Sequence, residues 1–237
     1  MSTQIQNYVM GQWVFGSGTP TILTNAVSGE EVGIASTAGI PFNEVLDYAR
    51  QQGGQSLRKM TFHERGRMLK ALALYLTERK LDYYTISYKT GATKIDSWID
   101  IDGGIGNLFA YASLRRYFPN ETYYVDGELA KLSKQGSFIG HHIMVPKQGV
   151  AVHINAFNFP AWGMGEKMAC ALLAGVPVVE KAGTPSAMLA WRISQLIVES
   201  KILPEGSFQF LCGSVAGALD HLAPLDSVAF TGSSKTG

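Results

Sequence analysis

The chain has 237 residues, 46% of them hydrophobic and 16% charged, with a formal net charge of +1. That length buries a sizeable core in one large α/β domain or two small ones, and the near-neutral balance leaves no electrostatic footprint for nucleic acid or an anionic membrane. The opening Met-Ser-Thr-Gln-Ile-Gln-Asn-Tyr lacks the basic flank and apolar core of a signal peptide, and no apolar run approaches the roughly 18 residues of a bilayer span. Cys170 and Cys212 show neither metal-ligand spacing nor a disulfide framework, so a cytoplasmic protein is expected.

Residues 7–40 alternate short apolar runs with turn formers and predict small hairpins laid over a larger body. A helix is expected from Pro41 to Gln52. A stronger one starts at Thr61, where Glu64 completes a capping box and Met68, Leu69, Leu72 and Leu76 supply a buried stripe. Residues 82–90 form a further helix closed by Gly91, and 94–117 a long one with Ile101, Ile105, Leu108, Phe109 and Ala112 on one face. Gly103, Gly104 and Gly106 inside it read as close-packing positions rather than a phosphate cradle.

Residues 122–147 change character, to two strands around a Lys-Gln-Gly turn. With too little apolar surface to stand alone, they read as an arm lying on something else. From Gly149 strands and helices alternate over 150–156, 160–174, 176–181, 186–201, 207–212, 215–222 and 227–231. Short loops between them imply right-handed parallel crossovers and a doubly wound parallel sheet of the α/β class. The expected division is a helical and hairpin part over 1–121, the arm over 122–147 and a Rossmann-like dinucleotide-binding core over 148–237.

Ligands of such a sheet gather beyond the carboxyl ends of its strands, where Asn158, Lys181, Gly213 and Ser233 all fall. Asn158 is either an oxyanion donor or the anchor of an Asx turn before Phe159-Pro160. Lys181 is either a cation for the hydroxyls or phosphate of an adenosine ribose or a solvated strand-end lysine. The segment F-T-G-S-S-K-T-G at 230–237 either seats a pyrophosphate on backbone amides, with the Ser233 hydroxyl, or is an ordinary Gly-Ser turn. It lacks the Gly-Lys-Ser/Thr spacing of a P-loop, which argues against a nucleoside triphosphatase.

Cys170, within M-A-C-A-L-L-A, reads as a buried small hydrophobe, and Cys212, at a strand end, as the better exposed thiol with no base beside it. Neither reads as a nucleophile. His141 and His142, adjacent on a strand, point to opposite faces and do not suit a shared metal. Glu166 and Glu180 are titratable candidates for the cleft, with nothing to select either as a base.

Taken in order, N-F-P at 158–160, P-V-V-E-K at 177–181, L-P-E-G at 203–206, C-G at 212–213 and A-F-T-G-S at 229–233 resemble the aldehyde dehydrogenase superfamily. Residues 90–114 and 150–164 resemble more narrowly its ring-opening branch in phenylacetate degradation, whose substrate is a coenzyme A-linked semialdehyde. The resemblance implies oxidation of an aldehyde to an acid through a thiohemiacetal on a cysteine, hydride transfer to a nicotinamide, and thioester hydrolysis. It implies Asn158 as oxyanion donor, and Ile154, Asn155, Ala156, Phe157, Lys181, Thr184, Gly213, Phe230, Thr231, Gly232, Ser233 and Thr236 as cofactor contacts. It also makes 122–147 the oligomerisation arm of a homo-oligomer.

Two departures stand out. Ala156-Phe157 replaces the family's usual Pro-Trp, and Thr184 stands where NAD-preferring members often place a glutamate. A carboxylate there repels a 2′-phosphate, whereas Thr184 with Lys181 accepts one, so NADP is expected, with NAD as the alternative. The family's catalytic cysteine and glutamate base are expected beyond Gly237, which would make the chain an amino-terminal cofactor-binding part without the catalytic domain. The competing reading is a non-catalytic dinucleotide-binding or assembly module.

Overall fold

The computed structural model describes residues 3–237. Five short strands, β1 (Thr3–Ile5), β2 (Asn7–Val9), β3 (Gln12–Val14), β4 (Thr21–Thr24) and β5 (Glu31–Ala35), precede the helices. These are α1 (Phe42–Tyr48), α2 (Gly54–Lys59), α3 (Phe62–Glu78), α4 (Leu81–Tyr88) and α5 (Lys94–Ser113). A ribbon of β6 (Tyr124–Lys131) and β7 (Ile139–Met144) then leads into β8 (Ala151–Ile154), α6 (Pro160–Leu173), β9 (Val178–Lys181), α7 (Ala187–Ser200), β10 (Phe208–Leu211) and β11 (Ser227–Phe230).

Local chemistry explains the strongest helices. Thr61 accepts the Glu64 amide at 3.1 Å while Glu64 accepts the Thr61 amide at 2.7 Å, the reciprocal box expected at the start of α3. Thr93 and Asp96 build a second box at α5. The stripe Met68, Leu69, Leu72 and Leu76 is buried, and so are Ile101, Ile105, Leu108 and Ala112, whereas Phe109 is only partly covered. Close packing is confirmed at two of the three α5 glycines. A Cβ on Gly104 would stand 2.6 Å from the Ala161 carbonyl oxygen and one on Gly103 2.2 Å from the Trp162 ring, while one on Gly106 would meet nothing.

The helix expected over 41–52 runs further, passing through a π-helical turn at Ala49–Gly53 into α2. Gly53 does not break it, because its bare Cα is needed there: a Cβ would lie 2.1 Å from the Gly206 carbonyl oxygen. A tertiary contact overrides propensity. The helix expected over 215–222 shrinks to one 3₁₀ turn, Ala218–His221, entered from Gly217 at φ +80° and too short to carry an apolar stripe.

The main sheet has the order β11-β8-β9-β10-β2-β3. Its first four strands are parallel, as the alternating pattern requires, and β2 joins β10 antiparallel through Tyr8 and Phe210. The amino-terminal hairpin therefore extends the sheet rather than lying over it. Side chains hold it there: Asn7 Oδ1 accepts the Cys212 amide at 2.8 Å, and Gln209 Oε1 accepts the Met10 amide at 2.8 Å. The other early strands form a separate sheet, β1-β5-β4. Helices α6 and α7, with α3 and α5 behind them, cover one face of the main sheet, and Val45, Leu46 and Ala49 seal the other against Val152, Val179 and Leu211.

The chain steps from β8 to β9 to β10 and then returns to place β11 on the far side of β8. The order thus reverses between β8 and β11, which opens a crevice at their carboxyl ends. Among the described residues β6 and β7 pair only with each other, and the ribbon they form with their connecting turn leaves Leu129, Leu132, Phe138, Ile139, Ile143 and Met144 exposed.

Candidate functional site

Strand β8 runs into the loop 155–159, which is held from the β9 side. The Asn155 amide donates to the Lys181 carbonyl at 3.0 Å, and Ser186 Oγ donates to the Phe157 carbonyl at 2.6 Å. Gly183 lets the loop approach, since a Cβ there would meet Phe157 N at 2.6 Å. Asn158 is exposed, and its side-chain amide has no hydrogen-bond partner among the described residues. The turn is therefore not an Asx turn, and the amide is free to donate.

Helix α6 starts two residues later, with Pro160 in its first turn and no cap from its own N-cap side chain. Asp100, from α5, does that work across the interface, accepting Ala161 N at 3.0 Å and Trp162 N at 2.7 Å. Burial pushes the Asp100 carboxyl up to about 6, although these two amides pull the other way. No local signal in the sequence marks this contact, which joins residues 61 and 62 positions apart.

Past the strand ends lies an open cleft of ≈ 580 Å³. Of the expected cofactor contacts, Ile154, Lys181, Thr184, Gly213, Phe230 and Thr236 line it. Thr21, Ser214, Val215, Ala216, Leu219 and Val228 also line it, and the sequence reading did not anticipate them. Lys181 is half-buried at the end of β9, and burial lowers its ammonium pKa against a small opposing pull from the Cys212 thiol. A cation, hydroxyls from Thr21, Thr184 and Ser214, and an apolar wall of Val215, Leu219 and Val228 fit a phosphorylated adenosine at the place where such a sheet receives one.

The remaining expected contacts are placed differently. Ala156 is half-buried, and Phe157, Thr231, Gly232 and Ser233 are exposed beside the cleft without lining it. The Ser233 hydroxyl lies 2.9 Å from that of Thr236. Asn155 is buried, with its side chain bonded to Glu180 at 2.8 Å.

Both thiol expectations are reversed. Cys212 is fully buried, and burial pushes its pKa up to about 12. Strand β10 is covered on both faces, so its end is interior. Cys170 is exposed, because Met164, Met168 and Leu172 take the core side of α6 and leave Glu166 and Cys170 on the other. It lines a second cavity of ≈ 470 Å³ with Tyr111, His153, Glu166 and Lys167, and its proximity raises the Tyr111 pKa. Glu166 accepts Trp162 Nε1 at 2.8 Å. Glu180 is 1% exposed and lies in neither opening; its oxygens take His153 Nδ1 and Asn155 Nδ2. His141 and His142 occupy successive positions on exposed β7.

A largely parallel sheet with an open cleft at its switch point has the form of a dinucleotide-binding protein. Comparison narrows the class. Residues 18–237 match the aldehyde dehydrogenase family, and the chain belongs to it. It is 42% identical over 234 residues to the 3,4-dehydroadipyl-CoA semialdehyde dehydrogenase of Aromatoleum evansii, covering 98% of this chain and 45% of that protein. The chain thus spans about half the length of the curated relatives it matches.

Among solved structures, it superposes with a TM-score of 0.82 on NADP-dependent glyceraldehyde-3-phosphate dehydrogenase from Bacillus halodurans C-125 complexed with NADP. The two are 22% identical over 100% of this chain and 49% of that one. For the NAD+ complex of aldehyde dehydrogenase from Bacillus cereus the TM-score is 0.81, at 21% identity over 99% and 47%. At these identities the structural likeness speaks for the fold alone. Neighbours bearing both nicotinamide cofactors share it. Among the described residues no helix is long and apolar enough to cross a membrane.

Proposed function

We propose that this chain is the amino-terminal, cofactor-binding part of a cytoplasmic, NADP-dependent aldehyde dehydrogenase that oxidises a coenzyme A-linked semialdehyde to the acid. The observations that carry the reading are the free Asn158 amide in the loop that follows β8 and a cleft furnished with Lys181 and Thr184, lined also by Ile154 at the end of that strand. The substrate class is supported by the 42% identical relative, a CoA semialdehyde dehydrogenase.

In this reading Lys181 holds the adenosine ribose and its 2′-phosphate, and the uncharged Thr184 leaves that phosphate unopposed. NADP, when bound, supplies the hydride acceptor. Asn158 donates its amide N–H to the oxygen that becomes negative when a thiol attacks the aldehyde, an interaction strengthened where water is excluded. The attacking thiol and the general base come from outside residues 1–237, since Cys212 is enclosed and Cys170 opens on a different cavity. The ribbon over 122–147 docks its exposed apolar side chains on a second copy and makes the enzyme a homo-oligomer.

The test is Asn158→Ala in an active enzyme carrying this sequence. Loss of one oxyanion donor should lower kcat by about 10²–10³-fold, equivalent to roughly 2.7–4 kcal/mol, with cofactor affinity retained. An unchanged kcat would remove Asn158 from the reaction and this reading with it.

A further inference from the structure

We propose that Glu180 is a positioning residue for Asn158, its buried carboxylate fixing through Asn155 the loop that presents the reactive amide. The proposal rests on the aldehyde-oxidation reading above.

His153 and Glu180 stand opposite each other across the β8–β9 pair, in the middle of the parallel sheet. Glu180 is 1% exposed, and His153 and Asn155 are 3% and 5% exposed. Valines at 152, 178 and 179 surround them in the same two strands, the composition such strands ordinarily have throughout. A buried carboxylate is costly unless fully bonded, and a well-packed apolar pair stabilises an interior as well or better. What the network supplies beyond burial is a fixed geometry.

That geometry is specific. Glu180 Oε1 takes His153 Nδ1 at 2.7 Å and Oε2 takes Asn155 Nδ2 at 2.8 Å. Only Nδ2 can donate to a carboxylate, so the Asn155 amide has one orientation. Its Oδ1 is left buried without a partner, facing Gly163, where a Cβ would stand 3.3 Å away. Asn155 thus accepts an unsatisfied oxygen to keep its bond to Glu180. It is the first residue after β8, three before Asn158, whose side chain no protein group steers. The direction of the Asn158 amide is set by its backbone, which Glu180 anchors from the interior through Asn155 and Ser186 holds at the Phe157 carbonyl.

The experiment compares Glu180→Leu, Glu180→Gln and Asn158→Ala in an active enzyme carrying this sequence, with kcat and the KM for NADP read separately. Glutamine can accept from Asn155 and donate to the other tautomer of His153, so it should restore the loop. Glu180→Leu should lose kcat by roughly 100-fold, the effect of a displacement of about 1 Å, with KM for NADP within about threefold and Glu180→Gln close to wild type. Should Glu180→Leu fail to fold, Asn155→Leu cuts the same link while keeping the His153–Glu180 pair and should give the same kcat loss.

Wild-type kcat in Glu180→Leu alongside a crippled Asn158→Ala would overturn the positioning role and leave the function standing. Equal damage in the leucine and glutamine variants, or KM rising in step with the fall in kcat, would reduce Glu180 to a fold residue and overturn the proposal as well. Wild-type kcat in Asn158→Ala would overturn the functional reading itself.

Discussion

Asp100 makes stability depend on pH in a direction opposite to most carboxylates. It is 4% exposed and caps α6 from another helix. Its folded pKa, about 6, lies above the reference value of 3.8. The stability this group contributes is therefore fully present below pH 3.8 and lost as pH rises through about 6. The full difference is worth about 3 kcal/mol, of which about 1 kcal/mol is recovered on going from pH 7 to pH 5. Asp100→Asn keeps an acceptor for the α6 amides and removes the titration.

Urea denaturation of the purified protein and this variant at both pH values isolates the effect. Glu64, Asp96 and Asp226, whose pKa values are lowered, respond in the opposite sense in both proteins and cancel in the comparison. The wild type should gain about 1 kcal/mol more than the variant on acidification. Identical pH responses would show that the Asp100 carboxylate is not held out of water as described.

Thr184→Glu in the active enzyme should move preference from NADP toward NAD through repulsion of the 2′-phosphate; an unaltered kcat/KM ratio for the two cofactors would refute the assignment. In the native protein a thiol reagent should label Cys170 quickly and Cys212 only after unfolding, and peptide mapping that found the reverse would contradict the burial described. If the ribbon is the proposed contact between copies, deleting 122–147 should reduce the number of subunits measured by sedimentation; an intact oligomer would show that the ribbon is not the interface.

Features whose cause is local were legible from sequence. The α3 capping box, the Met68 to Leu76 stripe and the strand-helix alternation after Gly149 all follow from periodicity and side-chain chemistry within a few residues, and the parallel sheet with them. The candidate cleft was half legible in the same way, since Lys181, Thr184 and Gly213, which strand ends place, line it. What distant segments contribute was not. Asp100 beneath α6, Thr21 in the cleft and β2 against β10 depend on contacts with no local signature. The Cys170 error was avoidable: Glu166 and Cys170 are four residues apart, so a charge marked the solvent side of that helix. Cys212 was misjudged because a strand end was equated with exposure, although Asn7 and Thr37, from the far amino-terminal segment, bond the Cys212 amide and the Ser214 carbonyl.

The pairing of β2 with β10 sets an order of events during synthesis. Asn7 and Cys212 are 205 positions apart, so β2 lacks its β10 partner until nearly the whole of this chain has emerged. At roughly 5–20 residues per second that wait is about 10–40 seconds, far longer than a hairpin needs to form. The β2–β3 hairpin can close early by itself, but it docks last, and throughout that wait the edge of β2 that will meet β10 is open to pairing with any other strand. Crowded expression or slow translation of the region after α7 therefore exposes this edge for longest, and aggregation of nascent chains should begin there.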